Sequence, residues 1–564
     1  MTPSGVQETY REVAAETAVT YSRYMSAQNP ASAGGPVVEG PHDPEHDPRA
    51  SYALEPDYTA ALTARLVATT GRTAEVRSPL DDAPLAHVPQ SSEEDVAQAF
   101  ARARKAQVAW ARTPLDRRAA ALLRLHDLIL DRQDEIIDLI QLESGKARKH
   151  AFDEPLHVAL TARYYARTAH QHLDTERKIG IVPGLTRVEV NRIPKGVVGI
   201  ISPWNYPFTM ALCDGLPALL AGNAVVAKPD AQTMLSALLA KELLVQAGFP
   251  EDLWQVVAGP GPEIGGAIVA HADYVCFTGS TATGRTIARG CADRLIGCSL
   301  ELGGKNPLLV LRDADLEKAA EGALRASFSN SGQLCVSMER IFVADQVYDR
   351  FVERFVARVE AMTLGATMEW GNDMGPLISQ QQLDTVTAHV EDAVAKGARV
   401  LTGGKARPDL GPYFYEPTIL EGVTPDMTCF GKETFGPVVS LYRFHDEADA
   451  IARANAGQYG LNASIYSQDG ARARAIAKFI KCGTVNINEA FAATFASLDA
   501  PMGGMRESGM GRRQGSEGIL RYTETQSVGT QRLIRFAPQF GMSDEAYAKL
   551  MTANLRLMKK LGRA

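Results

Sequence analysis

One cysteine of the chain lies in a loop that suits a reactive thiol. Cys335 falls in the segment SFSNSGQLCV, which is polar, contains a glycine and follows a predicted helix. A thiol nucleophile works as its thiolate and has to be accessible rather than sealed in a core. Other cysteines, such as Cys276 in YVCFTG, have apolar neighbours and are expected to be small buried hydrophobic residues. Cys335 is therefore the candidate nucleophile.

A glutamate in the segment LELGGKNP is the candidate general base. Glu301 is flanked by leucines and followed by two glycines, so the backbone can turn sharply while the carboxylate stays in a pocket. A partly desolvated glutamate has a raised pKa and is a better base near neutral pH. Seen alone, the same pattern also fits a surface glutamate before a turn.

Two further segments could bind an oxyanion and a phosphate. In ISPWNYP, two prolines fix the loop around Asn205, and a rigid side-chain amide is the donor that an oxyanion hole needs. An isolated Asn in such a loop could also simply make a turn. The segment FTGSTATG, with Gly279 and Ser280, follows a predicted strand and opens a predicted helix, where backbone N–H groups bind a pyrophosphate. It is not the GxGxxG fingerprint and is a weak signal by itself.

The elements that would position these segments alternate between strands and helices, which predicts an α/β protein with parallel sheets. The tail is predicted to be extended at Tyr522–Val528 and to form an amphipathic helix at Ser543–Leu561. Strands are predicted at Val197–Ile201, Ala224–Lys228, Tyr274–Phe277 and Leu308–Leu311, and helices at Ser91–Trp110, Thr113–Leu142, Leu235–Gly248, Thr283–Cys291 and Asp315–Phe328.

Composition narrows the function classes. The 564 residues carry a formal charge of −7, which favours neither nucleic acid nor an anionic membrane surface as a partner. The 7 cysteines form no CxxC pairs, which argues against a zinc ribbon or a disulfide framework. Neither a secretory signal nor a membrane span is evident, so the cytoplasm is the expected location. Residues 1–57 are predicted to be a flexible leader, in which His42 and His46 are expected to be solvated rather than to bind a metal.

Five segments of the chain together resemble the NAD(P)-dependent aldehyde dehydrogenase superfamily. PWNYP, FTGSTATG, LELGGKNP, GQLCV and KETFGPV occur in the order and spacing of that family, and the resemblance covers about residues 58–530. It implies that Cys335 is the nucleophile, Glu301 the general base, and Asn205 the amide that binds the oxyanion together with the backbone N–H of Cys335. No metal takes part in the family's reaction. The residues that would bind the cofactor are Ser202, Trp204, Lys228, Asp230, Gly279, Ser280, Glu433 and Phe435.

The resemblance also implies an aldehyde dehydrogenase-like organisation of the α/β fold. A Rossmann-type cofactor domain would comprise residues 58–173 and 194–300, and an α/β catalytic domain would comprise residues 301–514. Extended oligomerisation arms at 174–193 and 515–530 would join subunits into a homodimer or homotetramer. Residues 531–564 would form a C-terminal extension with the amphipathic helix.

The implied activity is the NAD(P)-dependent oxidation of a small-molecule aldehyde to a carboxylate through a thioester. NAD-preferring members of the family usually have a glutamate three residues after the lysine that Lys228 matches, where it binds the adenosine ribose. That position is Ala231 here, so a carboxylate that would repel a 2′-phosphate is missing. NADP is therefore the expected cofactor, while Asp230, one residue away, leaves NAD possible.

The expected substrate is succinate semialdehyde. The segments AKPDAQT, LRYTETQSVGTQR and FGMSDEAYAKLM make the chain most similar to the actinobacterial-type succinate-semialdehyde dehydrogenases. Better-known members have an arginine shortly after PWN that pairs with the substrate carboxylate, whereas this chain has Cys213 and Asp214 in that region. Arg340, shortly after Cys335, is the predicted replacement.

Three alternatives stay open from the sequence. The substrate could be another aliphatic or aromatic aldehyde. A related branch of the family transfers its acyl group to CoA and lacks the base, so the presence of Glu301 argues against it. A catalytically inactive scaffold would have lost the nucleophile or the base, and the chain has kept Cys335, Glu301 and Asn205.

Overall fold

The computed structural model describes residues 53–181, 186–532 and 536–562. Most of the predicted leader, including His42 and His46, lies outside these ranges. The first described helix begins at Pro56, within the last two residues of the predicted leader.

Helices and strands alternate along most of the described chain. The helices are α1 (Pro56–Thr63), α2 (Glu93–Trp110), α3 (Leu115–Asp131), α4 (Gln133–Ser144), α5 (Arg148–Leu173), α6 (Pro207–Leu212), α7 (Gly215–Leu220), α8 (Met234–Gln246), α9 (Gly261–His271), α10 (Thr281–Asp293), α11 (Leu316–Phe328), α12 (Tyr348–Glu360), α13 (Gln380–Ala395), α14 (Thr428–Gly431), α15 (Glu447–Ala454), α16 (Gly470–Ala477), α17 (Ala492–Phe495), α18 (Gly515–Leu520) and α19 (Asp544–Lys560).

The strands form a short hairpin, two large sheets and a small antiparallel sheet. They are β1 (Thr73–Arg77), β2 (Pro84–Pro89), β3 (Glu176–Lys178), β4 (Thr186–Pro194), β5 (Val197–Ile201), β6 (Ala224–Lys228), β7 (Trp254–Val256), β8 (Tyr274–Thr278), β9 (Gly297–Glu301), β10 (Asn306–Val310), β11 (Met338–Ala344), β12 (Arg399–Thr402), β13 (Thr418–Glu421), β14 (Val438–Phe444), β15 (Asn462–Tyr466), β16 (Thr484–Ile487), β17 (Gly509–Met510) and β18 (Thr523–Gln531).

The first large sheet is doubly wound. β5 lies between β6 and β7 on one side and β8 and β9 on the other, all parallel, and β17 runs antiparallel at the edge beside β9. The chain changes sides between β7 and β8, so a crevice opens beyond the carboxyl ends of β5 and β8. Every residue of β6 is buried, as expected for a parallel strand covered on both faces.

The second large sheet has the order β12-β13-β14-β11-β10-β15-β16, with β12 antiparallel to its neighbour and the other strands parallel. Its central strands β10 and β11 are buried throughout. β9 of the first sheet ends at Glu301 and β10 begins at Asn306, so four residues cross from one sheet to the other. The predicted α/β class is confirmed, and the predicted domain limits stay predictions.

The third sheet is an extended arm. β18 pairs with β4 over nine residues, and β3 pairs with the other edge of β4. Eight of the nine residues of β18 are exposed, and the segment Tyr522–Val528 that was predicted to be extended lies almost entirely within this strand. The predicted role of the arm in joining subunits stays a prediction.

The C-terminal helix α19 agrees with the predicted amphipathic helix, and the Ser543 side chain caps it by accepting the N–H of Ala546 at 3.3 Å. Its leucines Leu550, Leu555 and Leu557 are exposed. Within the described ranges, no helix is both long enough and apolar enough to cross a membrane.

The segment Thr113–Leu142 is two helices, so the prediction of one continuous helix is wrong. α3 ends and α4 begins on either side of Arg132, whose backbone leaves the helical conformation at φ −106° and ψ 25°. The buried Arg132 guanidinium donates to both carboxylate oxygens of Glu135, at 2.6 and 2.7 Å, and to Glu242 at 2.8 Å. These ion pairs hold the break, and the apolar periodicity that continues across it does not reveal it.

Candidate active site

Glu301 is the last residue of β9, at the crossing between the two large sheets. Gly509 of β17 pairs with Glu301 in the sheet. No side chain fits at this position, because a Cβ added to Gly509 would lie 1.9 Å from the Leu300 carbonyl oxygen. Glu301 is 6% exposed, and its Oε1 has no hydrogen-bond partner among the described residues. Burial raises the pKa of this carboxyl to about 7, although the nearby Arg513 guanidinium opposes the shift. A carboxylate with that pKa can take a proton from water near neutral pH.

The loop before Cys335 is held in a strained conformation. Asn330 and Ser331 have φ values of 51° and 56°, in the left-handed region that residues other than glycine seldom adopt. The Asn330 backbone N–H donates to His150 Nδ1 at 3.2 Å, and Ser331 Oγ donates to the Gly375 carbonyl at 2.8 Å. Such strain persists where the surroundings enforce it, and it is concentrated at functional sites.

Cys335 is partly exposed, and its backbone is fixed by the segment that follows β9. Its carbonyl oxygen accepts a hydrogen bond from Asn306 Nδ2 at 2.8 Å. Gly304 lies so close that an added Cβ would be 2.6 Å from the same oxygen. Burial raises the pKa of the Cys335 thiol to about 12, and the neighbouring carboxyls of Glu433 and Glu301 contribute to the shift. The thiol is therefore protonated at neutral pH, and its attack on a carbonyl requires that this proton be removed.

Asn205 is oriented toward the cysteine loop. Its Nδ2 donates to the carbonyl of Gln333, two residues before Cys335, at 3.0 Å. The backbone carbonyl oxygen of Asn205 accepts hydrogen bonds from Lys146 Nζ at 2.7 Å and from Asn330 Nδ2 at 3.0 Å. The amide nitrogen carries a second N–H that the contact with Gln333 does not use. An amide held in this way can donate to an oxyanion formed at Cys335.

Trp204 and Phe435 form an aromatic wall of the crevice. Their ring centroids are 5.5 Å apart and their planes lie at 85°. Phe435 has a φ of 53°, and Glu339 supports this conformation by accepting the backbone N–H groups of Thr434 and Phe435, each at 3.0 Å. Glu339 was not among the residues predicted from the sequence. Its signal was a lone acid in the otherwise largely apolar strand β11, which needs buried partners.

Glu433 lies on the same loop, beside the crossing between the sheets. Its Oε1 accepts the N–H of Gly304 at 2.7 Å, and a Cβ added to Gly303 would lie 2.4 Å from its Oε2. Burial and the charge of Glu339 raise the pKa of Glu433 to about 8. A carboxyl group held against this glycine turn has the chemistry to exchange hydrogen bonds with ribose hydroxyls.

Three more of the predicted cofactor residues, Ser202, Lys228 and Asp230, lie at or just after the carboxyl ends of β5 and β6. The N–H of Ser202 donates to the carbonyl of Lys228 at 3.1 Å, and burial lowers the pKa of the Lys228 ammonium group. Asp230 Oδ1 accepts the N–H of Gln232 at 3.0 Å and so caps the short helical turn that follows. Ala231, beside it, is exposed.

Gly279 and Ser280 make the turn between β8 and α10. The N–H of Gly279 donates to the carbonyl of Glu301 at 3.1 Å, and an added Cβ would lie 2.7 Å from the Phe277 ring. Ser280 Oγ accepts the N–H of Thr283 at 3.3 Å, which makes Ser280 the N-cap of the 13-residue helix α10. The amino end of this helix therefore opens onto the crevice, where a pyrophosphate can bind.

Arg340 is not available as the substrate ligand that the sequence predicted. Its Nε donates to the carbonyl of Lys305 at 2.9 Å. Its two terminal nitrogens donate to the carbonyls of Arg453, Ala454 and Ala456, at 3.0 to 3.3 Å. The buried guanidinium thus caps the carboxyl end of α15, where unpaired helix carbonyls need donors. We withdraw Arg340 as the carboxylate ligand.

A buried cluster beside Glu301 was missed by the sequence analysis. Asp214 accepts hydrogen bonds from Arg513 Nη2 at 3.0 Å and from Arg521 Nη2 at 2.7 Å. Arg513 Nη2 also donates to Thr278 Oγ1 at 3.0 Å, and its Nε lies 3.9 Å from Glu301 Oε1. Asp214 in the apolar stretch MALCDGLPALL was a usable signal, because a buried carboxylate requires a cation. Nothing in the sequence indicates which arginines supply it.

A cavity of about 350 Å³ adjoins the cysteine loop. Most of its wall is aliphatic or aromatic, and it includes the neighbours of Cys335 in the chain, Leu334 and Val336. Tyr206 and Phe495 also contribute to the wall. Such a cavity can receive a short aldehyde beside the cysteine loop.

Two cations also line the cavity. Lys149 pairs with Asp373 at 2.6 Å, and Arg325 pairs with Glu489 at 2.6 Å; both cations are about half exposed. Burial lowers the pKa of His157, in the same wall, to about 3, so this imidazole is neutral. Over the described part of the chain, no group of His, Cys, Asp and Glu side chains is arranged to hold a metal ion.

The chain is similar in sequence and in fold to known proteins. A sequence profile of the aldehyde dehydrogenase family matches residues 66–528. A protein of Mycolicibacterium smegmatis, provisionally named an NADP+-dependent succinate-semialdehyde dehydrogenase, is 52% identical over 477 residues, which are 85% of this chain and 92% of that protein.

Two solved structures are similar in fold. The crystal structure of an NADP-dependent enzyme of E. coli has a TM-score of 0.79 and 36% identity, and the match covers 83% of this chain and 96% of that one. The NAD+ complex of an aldehyde dehydrogenase from Bacillus cereus has a TM-score of 0.80 and 36% identity, with 85% and 99% covered. With a profile match over most of its length and a relative of this identity, the chain belongs to the aldehyde dehydrogenase family.

Proposed function

We propose that the protein oxidises succinate semialdehyde to succinate with NADP+, using Cys335 as the nucleophile and Glu301 as the general base. The observation that carries the proposal is that three separate chain segments bring Cys335, Glu301 and Asn205 together where the two large sheets meet. The name of the Mycolicibacterium smegmatis relative supports the choice of cofactor and substrate.

In the acylation half of the reaction, the Cys335 thiol gives up its proton to solvent, and Cys335 Sγ forms a bond to the aldehyde carbon. The carbonyl oxygen becomes an oxyanion, which accepts hydrogen bonds from Asn205 Nδ2 and the backbone N–H of Cys335. The strained loop before Cys335 holds both donors in place, so they need no reorganisation when the charge develops. When bound, NADP+ supplies the acceptor for the hydride that leaves the aldehyde carbon.

In the hydrolysis half, Cys335 carries the acyl group as a thioester. Glu301 takes a proton from a water molecule, and the water oxygen bonds to the thioester carbon. The carbon–sulfur bond then breaks, the leaving thiolate of Cys335 takes up the proton of the acid, and the product is released as a carboxylate. The proton on Glu301 passes to solvent, so the net reaction consumes one aldehyde, one oxidised cofactor and one water.

The crevice residues suit a dinucleotide in their chemistry. Glu433 offers a carboxyl group for ribose hydroxyls, the amino end of α10 after Ser280 suits a pyrophosphate, and the wall of Trp204 and Phe435 suits a planar ring. Lys228 stands at the end of β6 as a cation for the adenosine end.

We expect the enzyme to use NADP+ at least as well as NAD+. Ala231 places no carboxylate three residues after Lys228, so one group that would repel a 2′-phosphate is missing. The Asp230 carboxylate keeps its charge, but its Oδ1 is directed to the N–H of Gln232, where it caps the following turn. The measurement is kcat/KM for both cofactors at one saturating aldehyde concentration. A tenfold or greater advantage for NAD+, about 1.4 kcal/mol, would overturn the expectation and assign cofactor choice to Asp230. Replacing Asp230 by Ala should then remove that advantage.

We expect succinate semialdehyde to be oxidised with a kcat/KM at least about tenfold above that of butanal, its neutral counterpart. With Arg340 withdrawn, Arg325 and Lys149 are the cations of the cavity wall that could pair with the substrate carboxylate. Arg325→Met and Lys149→Met should each raise KM for succinate semialdehyde and leave butanal unchanged. Equal kcat/KM for the two aldehydes in the wild type would remove the carboxylate site from the proposal.

A second candidate substrate class rests on the cavity wall. Its aliphatic and aromatic lining favours an apolar aliphatic or aromatic aldehyde, because both cations already have ion-pair partners. The same panel, extended to hexanal and benzaldehyde, distinguishes the classes. Including CoA in one arm tests acyl transfer: we expect free succinate and no acyl-CoA, because Glu301 can activate water.

A further inference from the structure

The strongest unexplained feature of the site is a buried arginine placed against the proposed base. Arg513 Nε and Glu301 Oε1 are 3.9 Å apart, and neither atom has a hydrogen-bond partner in the described part of the chain. Buried polar atoms are almost always hydrogen-bonded, so two facing unpaired atoms of opposite charge call for an explanation. The gap exceeds a hydrogen bond by about an ångström, which a change of side-chain rotamer can close.

The backbone of Arg513 is fixed. Its N–H and carbonyl form a reciprocal pair with Met502, at 2.7 and 2.8 Å. Upstream, the two residues of β17 pair with Leu300 and Glu301 themselves. The loop that carries Arg513 is thus fastened to the strand that carries Glu301.

The guanidinium is also anchored, but at one end only. Nη2 donates to Asp214 at 3.0 Å and to Thr278 Oγ1 at 3.0 Å, whereas the partner of Nη1 among the described residues is the Met210 sulfur at 3.5 Å. This arrangement leaves Nε directed at Glu301 while the opposite end is pinned. Asp214 is pinned in turn by Arg521 at 2.7 Å.

We propose that Arg513 is a positioning residue, which draws the Glu301 carboxylate toward itself and keeps it ionised for the hydrolysis step. The proposal rests on the base function of Glu301 proposed above. The Asp214–Arg513 ion pair would then help to set the pH range of the reaction, in addition to packing in the core.

The charges around Glu301 determine the expected signs. Three arginines face Glu301: Arg513 and Arg512 lie in the loop after β17, and Arg521 lies in the segment after α18. Asp214 approaches from the segment between α6 and α7, and Cys335 approaches from the loop before β11. Burial raises the pKa of Glu301; the three arginines lower it and Asp214 raises it. Losing the charge of Arg513 should therefore shift the protonation of Glu301 to higher pH, and losing the charge of Asp214 should shift it to lower pH.

The test is the pH profile of kcat in the full-length enzyme with the best aldehyde of the panel. In Arg513→Met, we expect the acid limb to move to higher pH by about one pH unit or more. Arg513→Lys, which keeps the charge, should restore at least half of that shift. Asp214→Asn should move the acid limb in the opposite direction, which a general loosening of the core would not do. Arg512→Met is the graded comparison, because the Arg512 guanidinium donates to backbone carbonyls and lowers the pKa of Glu301 less than Arg513 does. Its loss should move the acid limb to higher pH by clearly less than Arg513→Met does.

Unchanged acid limbs in Arg513→Met and Asp214→Asn, with wild-type thermal melting, would overturn the proposal, as would shifts of the same sign. If Arg513→Met does not fold, the acid limbs of Arg513→Lys and Asp214→Asn are compared with that of the wild type instead. Unchanged limbs in both variants would again overturn the proposal. A failure of the base function itself is recognised separately. In that case Glu301→Gln keeps the wild-type acid limb, whatever the Arg513 variants do.

Discussion

Replacing Cys335 with alanine is expected to lower the steady-state rate by on the order of 10⁴-fold or more, while the affinity for NADP+ changes by no more than a few fold. The thiol is the group proposed to bond to the aldehyde carbon, and without it no thioester can form. The proposed cofactor contacts lie on other segments, at the ends of β5 and β6, at the turn before α10 and on the loop of Glu433. The measurements are the rate of NADPH formation and a calorimetric titration with NADP+.

Cys298→Ala is the matched control for this change, because Cys298 is a partly exposed cysteine on β9, outside the segment that contains Cys335. Its activity should stay close to that of the wild type. Substantial dehydrogenase activity in pure Cys335→Ala would assign the chemistry to another group.

Replacing Glu301 with glutamine is expected to lower the steady-state rate by roughly 10²- to 10⁴-fold, the usual contribution of a general base. A first burst of NADPH should be reduced much less. Glutamine keeps the shape of the side chain but cannot take a proton from water, so the thioester forms and then accumulates. Stopped-flow absorbance separates the burst from the steady state.

The pH profile checks the same residue independently. Because the pKa of Glu301 is raised to about 7 by burial, the wild-type kcat should fall as the pH drops through that value and the base becomes protonated. The Glu301→Gln variant should lose this acid limb. A parallel loss of burst and steady state would show instead that Glu301 also removes the proton from Cys335, whose thiol pKa is raised to about 12.

The general plan of the molecule could be predicted because the pattern that encodes it is local. Strands such as Ala224–Lys228 are short apolar runs and were predicted with the observed ends. The turn of Gly279 and Ser280 was predicted from the strand and helix on either side of it. The break at Arg132 was not, because it depends on an ion pair with Glu242, a residue more than a hundred positions away.

The same distinction applies to the site. Cys335, Glu301 and Asn205 lie in segments whose composition indicates their chemistry. Arg340 was a wrong prediction because nearness to Cys335 in sequence does not fix the direction of a strand side chain, which alternates between the two faces. Arg513 was missed for the converse reason, since it reaches Glu301 through a loop far along the chain.

The most direct test of the covalent mechanism is the mass of the acylated enzyme. Glu301→Gln is mixed with NADP+ and succinate semialdehyde, quenched in acid during the burst and digested, and the peptide that contains Cys335 is weighed. We predict that this peptide gains the mass of one succinyl group, in an amount equal to the NADPH formed in the same sample. NADPH formation with an unmodified Cys335 peptide would contradict a thioester on this cysteine.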